Sequence, residues 1–398
     1  MKKTKTLMFA SVLLCAALSF AGGTKDTVSG SKAENKKSDT ELSVVTTIFP
    51  IYDFTRALMY GAPDAQSARV LQNTADKIKA DKALKLLVKP GMEIHSFDPS
   101  PADIAAIQKA DVFIYNGGES DEWVHEILES MDISGKVVVR LTDYVDLVEE
   151  EIVEGMEHSH DADHDHAGHE AHEHHHEHDG HEAHEHRHEH DGHEAHEHHD
   201  GHHHEHEDEH SHEADEHIWT SPANAAKMVN AIRDALIKAD ARKSGGTKAG
   251  LFTKNAADYN REIKRTAETI SSVVNKASDK FILMGDRFPL RYFVDYYGLE
   301  YRAAFSGCST AVEANASTIA FLIDKAAERS VPAVFAMELS NRKIAQTVAE
   351  GAAKKGGTKP AVLELHTVHN LSKDDFKAGE TWVSLMMRNA ESLKKGLK

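Results

Sequence analysis

Short runs of β-branched and aromatic residues alternate with segments whose apolar residues recur at helical spacing. In the first half, residues 43–58 predict a strand followed by a helix, and residues 110–118 and 135–141 predict two further strands. In the second half, four strands are predicted, each followed by a helical pattern: 281–284, 299–304, 331–337 and 361–365. Such alternation is typical of an α/β fold with parallel sheets and crossover helices.

Two amphipathic segments, 221–243 and 256–278, lie between these halves and are interrupted near Gly245 and Gly246. The chain has 398 residues, more than one hydrophobic core usually serves. We therefore expect two similar α/β lobes joined by one long helix.

The N-terminal residues have the pattern of an export signal. Met1-Lys2-Lys3 precedes an apolar run over 7–20, and the small residues 21–23 follow it. This run is too short for a convincing membrane span, and no later segment reaches the roughly 18 apolar residues required. We expect a signal peptide at 1–21, a linker at 22–42 and an exported protein, periplasmic or associated with the cell envelope. Lipid anchoring stays open, with Cys15 as a poor candidate.

One segment between the halves dominates the composition. Of the 30 histidines, 26 lie between His158 and His217, and a Gly-His-Glu-Ala-His motif recurs every twelve residues. Residues 157–216 carry 22 Asp and Glu against one Arg, a local charge of about −21, whereas the whole chain carries −19. The rest is nearly neutral and has no basic stripe, which argues against a nucleic-acid partner.

We call residues 156–216 the histidine tract and expect it to be disordered, because it has few large apolar residues to bury. Imidazole suits zinc, nickel and copper, whereas manganese prefers oxygen ligands. We therefore expect Zn²⁺ as the ligand, ahead of nickel, copper and manganese. A solvated spacer or a pH sensor is the alternative interpretation of the tract.

Four residues offer a ligand next to a predicted strand end or helix start: His95, His217, Asp286 and His366. Loops beyond the carboxyl ends of parallel strands are where such folds bind ligands, and two facing lobes create a cleft there. Three nitrogens and one carboxylate suit tetrahedral zinc. His125, on a predicted amphipathic helix, is interpreted as part of an ion-paired surface instead.

Several motifs together resemble the zinc- and manganese-specific solute-binding proteins of ABC transporters, over residues 43–398. They are VVTTIFPIYDF, HSFDPSPADI, ADVFIYNGGESDEW, HIWTSP, YFVDYYGLEY and LMMRN. The resemblance implies two α/β lobes joined by a long rigid helix, with one ion held between them. It also implies an acidic, histidine-rich insertion in the zinc-specific members.

By matching positions, the resemblance implies that His95 and His217 are metal ligands. The third family position, commonly His or Glu, falls on Arg287, which cannot ligate zinc. Asp286 is adjacent and is the expected substitute. Glu338 is the competing carboxylate.

The fourth family ligand is usually an Asp after the last strand. His366 stands at about that place, and His369 is the competing choice.

These observations lead to one expectation for the function and three alternatives. We expect a monomeric, non-enzymatic protein that captures Zn²⁺ and delivers it to the permease and ATPase of an ABC transporter. The expected division is a first lobe at 43–155, the histidine tract at 156–216, the end of that lobe with the connecting helix at 217–278, and a second lobe at 279–398. A zinc store using the tract, a zinc hydrolase and a surface adhesin are the alternatives.

Overall fold

The computed structural model describes residues 41–63, 82–156, 214–309, 313–356 and 358–398. All of these belong to one unit, Thr40–Lys398. The expected signal peptide, nearly all of the linker and most of the histidine tract lie outside the described residues. No helix within the described ranges has the length and apolar character that a membrane span requires.

Two four-stranded parallel sheets organise the two halves of the described chain. The first has the order β2-β1-β3-β4, with β1 Val44–Thr46, β2 Leu84–Leu86, β3 Val112–Tyr115 and β4 Val137–Arg140. The second has the order β6-β5-β7-β8, with β5 Phe281–Phe288, β6 Glu300–Ser306, β7 Ala333–Ala336 and β8 Ala361–Glu364. The predicted class, two α/β lobes with parallel sheets, is confirmed.

Helices cover the sheets and connect their strands. The first lobe has α1 Phe49–Tyr60, α2 Pro101–Lys109 and α3 Trp123–Ser130. Two long helices follow, α4 Pro222–Ser244 and α5 Ala249–Val274. The second lobe has α6 Arg291–Tyr297, α7 Ala316–Glu328, α8 Lys343–Lys354, α9 Lys373–Lys377 and α10 Trp382–Gly396. Short 3₁₀ turns lie at Glu119–Asp121, Leu141–Tyr144 and Ile218–Thr220.

The two amphipathic segments form two helices with different neighbours, and α5 is the long helix that connects the lobes. Gly245 ends α4 in the left-handed conformation, at φ +72°, and the side chain of Asp240 accepts the N–H of Lys248 at 2.6 Å. The chain reverses there, so α5 packs back against α4, where Asn260 bonds Asn230. Helix α5 then contacts α1 of the first lobe and α10 of the second. It spans about 39 Å at 1.5 Å per residue.

A buried polar junction lies where α1, α5 and α10 meet in the main core. Asp53 forms an ion pair with Arg56 at 2.7 Å, and it accepts the hydroxyl of Tyr259 and the backbone N–H of Trp382. The apolar residues around the junction come from both sheets and form one continuous cluster. Separate clusters fill the outer face of each sheet. The two lobes therefore share one core and are not separate globules.

Candidate metal centre

The loop after β2 carries His95 into the space between the lobes. Its Nδ1 lies 2.9 Å from the hydroxyl of Ser120 and 3.3 Å from a carboxylate oxygen of Glu216. These contacts orient the ring, and its Nε2 is buried without a hydrogen-bond partner among the described residues. His95 thus presents one free nitrogen toward the second lobe.

His217 lies directly before the Ile218–Thr220 turn and is fully buried. Asp215 accepts its backbone N–H at 2.8 Å and faces its ring Nδ1 at 3.1 Å. A carboxylate on one ring nitrogen directs the other nitrogen at a ligand, a common arrangement around metal-binding imidazoles. In the described part of the chain, His217 Nε2 has no other partner.

The third imidazole, His369, comes from the loop after β8 in the second lobe. Both of its ring nitrogens are buried and lack a hydrogen-bond partner within the described ranges. Its ring centroid lies 5.2 Å from that of His95 and 5.5 Å from that of His217. One nitrogen from each ring falls within 4.8 Å of the others. We call His95, His217 and His369 the cleft cluster.

Burial and mutual repulsion set the protonation of the cleft cluster. Burial lowers the pKa of His95 to about 4, with the neighbouring His217 adding to the effect. Burial likewise lowers the pKa of His369 well below its ordinary range. For His217 burial also acts downward, but Asp215 outweighs it and raises the pKa. Two of the three rings are therefore neutral at pH 7, the form in which imidazole binds metals.

His366 does not join the cleft cluster. Its Nδ1 accepts the backbone N–H of Val368 at 2.9 Å, and its own backbone is held on both sides by the Asn389 side chain at 2.7 Å. Val368 has φ +59°, a strained conformation for a β-branched residue. His366 thus stabilises the turn that aims His369 into the cleft.

Asp286 lies inside a strand, whereas the sequence placed it after one, because β5 continues to Phe288 with a register shift between Met284 and Arg287. The shift coincides with Gly285, where a side chain would meet the backbone of Ala345 at 2.5 Å. One carboxylate oxygen of Asp286 accepts the N–H of Arg287 and the other that of Met337.

Glu338 also has both carboxylate oxygens engaged, by the backbone N–H and the hydroxyl of Thr367 at 2.8 and 2.7 Å. Through these hydrogen bonds Glu338 fixes the loop that carries His369. Glu338 and Asp286 line a cavity of about 420 Å³ that opens beside His95 and His369. Neither carboxylate belongs to the group of three converging ligands. The structure brings together His95 and His217 of the four expected residues, with His369 as the third.

His125 lies on the exposed face of α3, where its Nε2 contacts Glu129 at 3.1 Å. The interpretation as a surface ion pair is confirmed for these two residues. Asp121, four residues before His125, is buried and accepts the backbone N–H groups of Asn116 and Gly117. It closes the turn after β3.

The histidine tract returns to the fold close to the cleft cluster. Asp215 donates its backbone N–H to Val148 at 2.9 Å, and Ala214 forms an isolated bridge with Glu149. The hydroxyl of Tyr292 in the second lobe donates to the Asp215 carbonyl at 2.7 Å. The end of the tract is thus anchored two residues before His217.

Three unpartnered imidazole nitrogens in a desolvated cleft can hold a borderline divalent cation. Ligand atoms bonded to tetrahedral zinc at about 2.0–2.1 Å lie about 3.3 Å apart. Separations of up to 4.8 Å in the cleft cluster require only a small contraction. Sequence reasoning left His366 and His369 open, since both follow β8 and only the turn at Val368 decides which ring faces the cleft.

Comparisons with known proteins identify the family of the chain. A family model described as zinc-uptake complex component A, periplasmic, matches residues 44–396. The zinc-binding lipoprotein AdcA of Streptococcus pneumoniae is 28% identical over 363 residues, which are 91% of this chain and 57% of AdcA. The high-affinity zinc uptake system protein ZnuA of Bacillus subtilis is 28% identical over 387 residues, 97% of this chain and 96% of that protein.

The fold also matches a solved structure, the periplasmic zinc-binding protein TroA from Treponema pallidum. The TM-score is 0.60 at 17% sequence identity, and the match covers 89% of this chain and 99% of TroA. This likeness concerns the fold. Because the family model covers most of the sequence, the chain belongs to the family of periplasmic zinc-uptake complex component A.

Proposed function

We propose that the protein captures Zn²⁺ between its two lobes and delivers it to an ABC-type permease. One observation carries the proposal: His95, His217 and His369 converge from both lobes with buried nitrogens that lack partners in the described structure. A buried polar atom without a partner is costly, so such a cluster favours a ligand that satisfies it. No covalent reaction is required of this site.

The donor set fits zinc, and the names of the family and of its relatives favour zinc among the metals that imidazole binds. Nitrogen donors favour zinc, nickel and copper over manganese and magnesium. The family description and the names of AdcA and ZnuA refer to zinc. In this proposal His95 and His217 act as the sequence predicted, and His369 takes the place expected for His366. Asp286 stays outside the ligand set because it is not part of the converging group, and its oxygens accept backbone N–H groups of Arg287 and Met337.

Delivery needs a partner that crosses the membrane. The family is described as one component of a zinc-uptake complex, and its location as periplasmic. We therefore propose an exported protein that docks on a permease driven by an ATPase, with the two lobes clamping the ion until it is handed over. The histidine tract, anchored beside His217, acts as an accessory that gathers ions.

The test is a zinc titration of a protein from which residues 157–213 are removed, so that Met156 joins Ala214. This deletion keeps Asp215 and His217, and a chelator competition measures the affinity. One tightly bound zinc is expected, and His95→Ala should abolish it, whereas His125→Ala on the surface should not. Absence of a tight ion from the shortened protein would overturn the proposal and favour a zinc store based on the tract.

A further inference from the structure

Arg287 occupies the third ligand position implied by the family resemblance. Its side chain forms an ion pair with Glu93 of the opposite lobe. Its guanidinium Nη2 donates to Glu93 Oε2 at 2.9 Å, and its Nη1 donates to the carbonyl of Ser309 at 3.1 Å. Glu93 lies in the loop after β2, two residues before His95. The pair therefore spans the cleft at its open side.

The other carboxylate oxygen of Glu93 faces the cleft cluster. Glu93 Oε1 lies 3.9 Å from Nε2 of His369, a nitrogen without a hydrogen-bond partner in the described residues. This distance is too long for a hydrogen bond. It exceeds by only about 0.6 Å the separation of two ligand atoms around tetrahedral zinc. Oε1 accepts the N–H of Ile94 at 3.1 Å, and its second lone pair stays available.

Glu93 is the carboxylate between Arg287 and the cleft cluster, since one of its oxygens pairs with the guanidinium and the other faces His369. Arg287 beside a bound cation would be repelled without an intervening negative charge. A carboxylate between them removes that repulsion and leaves a cation site flanked by a fixed counter-charge.

Like Glu93, the other carboxylates near the cleft cluster lie outside the group of three converging imidazoles and have their oxygens in hydrogen bonds. Glu93 differs because one of its oxygens lies 3.9 Å from a cluster nitrogen that has no partner in the described residues. The oxygens of Asp286 and Glu338 accept hydrogen bonds from their own lobe, as described above. Glu216 binds the backbone N–H and the hydroxyl of Ser120 with its two oxygens. Asp215 is directed at the ring of His217 on the side away from the free nitrogen.

We propose that Glu93 supplies the fourth ligand, an oxygen, to the zinc held by the cleft cluster, and that Arg287 positions its carboxylate. This inference rests on the proposed function. A family position that usually provides a ligand directly would here act through another residue, and the ligand would come from the first lobe. Both lobes still contribute, through Glu93, His95 and His217 on one side and His369 on the other.

The test compares Glu93→Gln with Asp98→Asn, an exposed carboxylate in the same loop. Both variants remove one negative charge, and thermal unfolding checks that both fold. Loss of a ligand predicts about 100-fold weaker zinc binding for Glu93→Gln and no change for Asp98→Asn. The d–d absorption of the Co²⁺-loaded protein should change for Glu93→Gln alone, because that spectrum reports the ligand set.

A variant of Arg287 tests whether Glu93 binds the zinc or only neutralises the charge of Arg287. Arg287→Met should weaken zinc about tenfold, and the double variant with Glu93→Gln should remain as weak as Glu93→Gln alone. Recovery of wild-type affinity in the double variant would overturn the inference, since Glu93 would then only neutralise Arg287. If the wild-type protein binds zinc tightly and Glu93→Gln binds it with the same affinity, the role of Glu93 as a ligand is overturned and the proposed function stands. Wild-type protein without a tight ion would overturn the proposed function.

Discussion

The histidine tract and the cleft cluster carry the same side chain in opposite settings. The tract places most of the histidines beside one another in a repeat rich in Glu and Asp, with few apolar residues. The cleft cluster has three imidazoles, brought together from loops far apart in the sequence and oriented by neighbouring polar side chains. The number of histidines and the quality of a binding site are therefore separate properties.

The two regions differ in how much conformational freedom their side chains lose when an ion binds. In the cleft the rings are already oriented by Ser120, Asp215 and the turn at Val368, so little conformational freedom is lost when an ion enters. A polar repeat must order several side chains for each ion. We expect one tight site in the cleft and several weak sites in the tract.

The largest expected effect comes from removing an imidazole from the cleft. His369→Ala should weaken the tight zinc site by at least about 100-fold, more than is typical for residues that act through a ligand. The weak sites should be unaffected. Chelator competition on the full chain measures both classes. An unchanged tight site would mean that His369 only fills space and would remove the basis for a site shared by both lobes.

The two classes of site should differ in how steeply their zinc affinity falls as the pH is lowered. His95 and His369 stay neutral near pH 5.5 because burial lowers their pKa values, whereas the raised pKa of His217 means that zinc must displace its proton. Cleft affinity should then fall about tenfold per pH unit below that pKa, one proton per ion.

The unperturbed pKa of imidazole is about 6.5, and an ion that binds several such rings would displace several protons on acidic titration. The weak sites should therefore lose affinity more steeply. Zinc titrations between about pH 7.5 and about pH 5.5 give both slopes. Equal slopes would contradict the assignment of the tight site to the buried cluster.

A smaller effect is expected from His366. His366→Ala removes the acceptor for the Val368 N–H, so the turn loosens and zinc affinity should fall about tenfold, with about 1 kcal/mol lost in unfolding free energy. His366→Asn should restore most of the affinity, because an Asn side chain can accept the N–H two residues on. If His366→Asn binds as weakly as His369→Ala, His366 is a ligand instead.

Strong hydrophobic patterns predicted most of the fold. Seven of the eight described strands coincide with β-branched or aromatic runs, and both long helices have clear apolar periodicity. Strand β2, Leu84–Leu86, was missed because it is three residues long with a lysine at its centre. The reversal at Gly245 was also missed, because a glycine pair within an amphipathic pattern indicates an interruption but not the direction of the next helix.

The candidate site was predicted less completely. His95 and His217 adjoin motifs whose neighbours are distinctive, Ser-Phe-Asp-Pro after the first and Ile-Trp-Thr after the second. Asp286 was expected just after a strand ending at Met284, whereas β5 continues to Phe288 through a register shift that the local sequence does not indicate. No local sequence pattern indicated a role for Glu93, because its ion-pair partner Arg287 lies in the other lobe, 194 residues away in the sequence.

The sequence alone determined the properties that depend on neighbouring residues: the alternation of strands and helices, the acidic histidine repeat, and the presence of imidazoles after strands. The tertiary structure decided which imidazoles meet, because His366 and His369 differ only in the direction that the turn at Val368 imposes on them. It also decided that Arg287 faces Glu93. Side-chain direction and contacts between lobes arise from packing of the whole chain, and no local pattern encodes them.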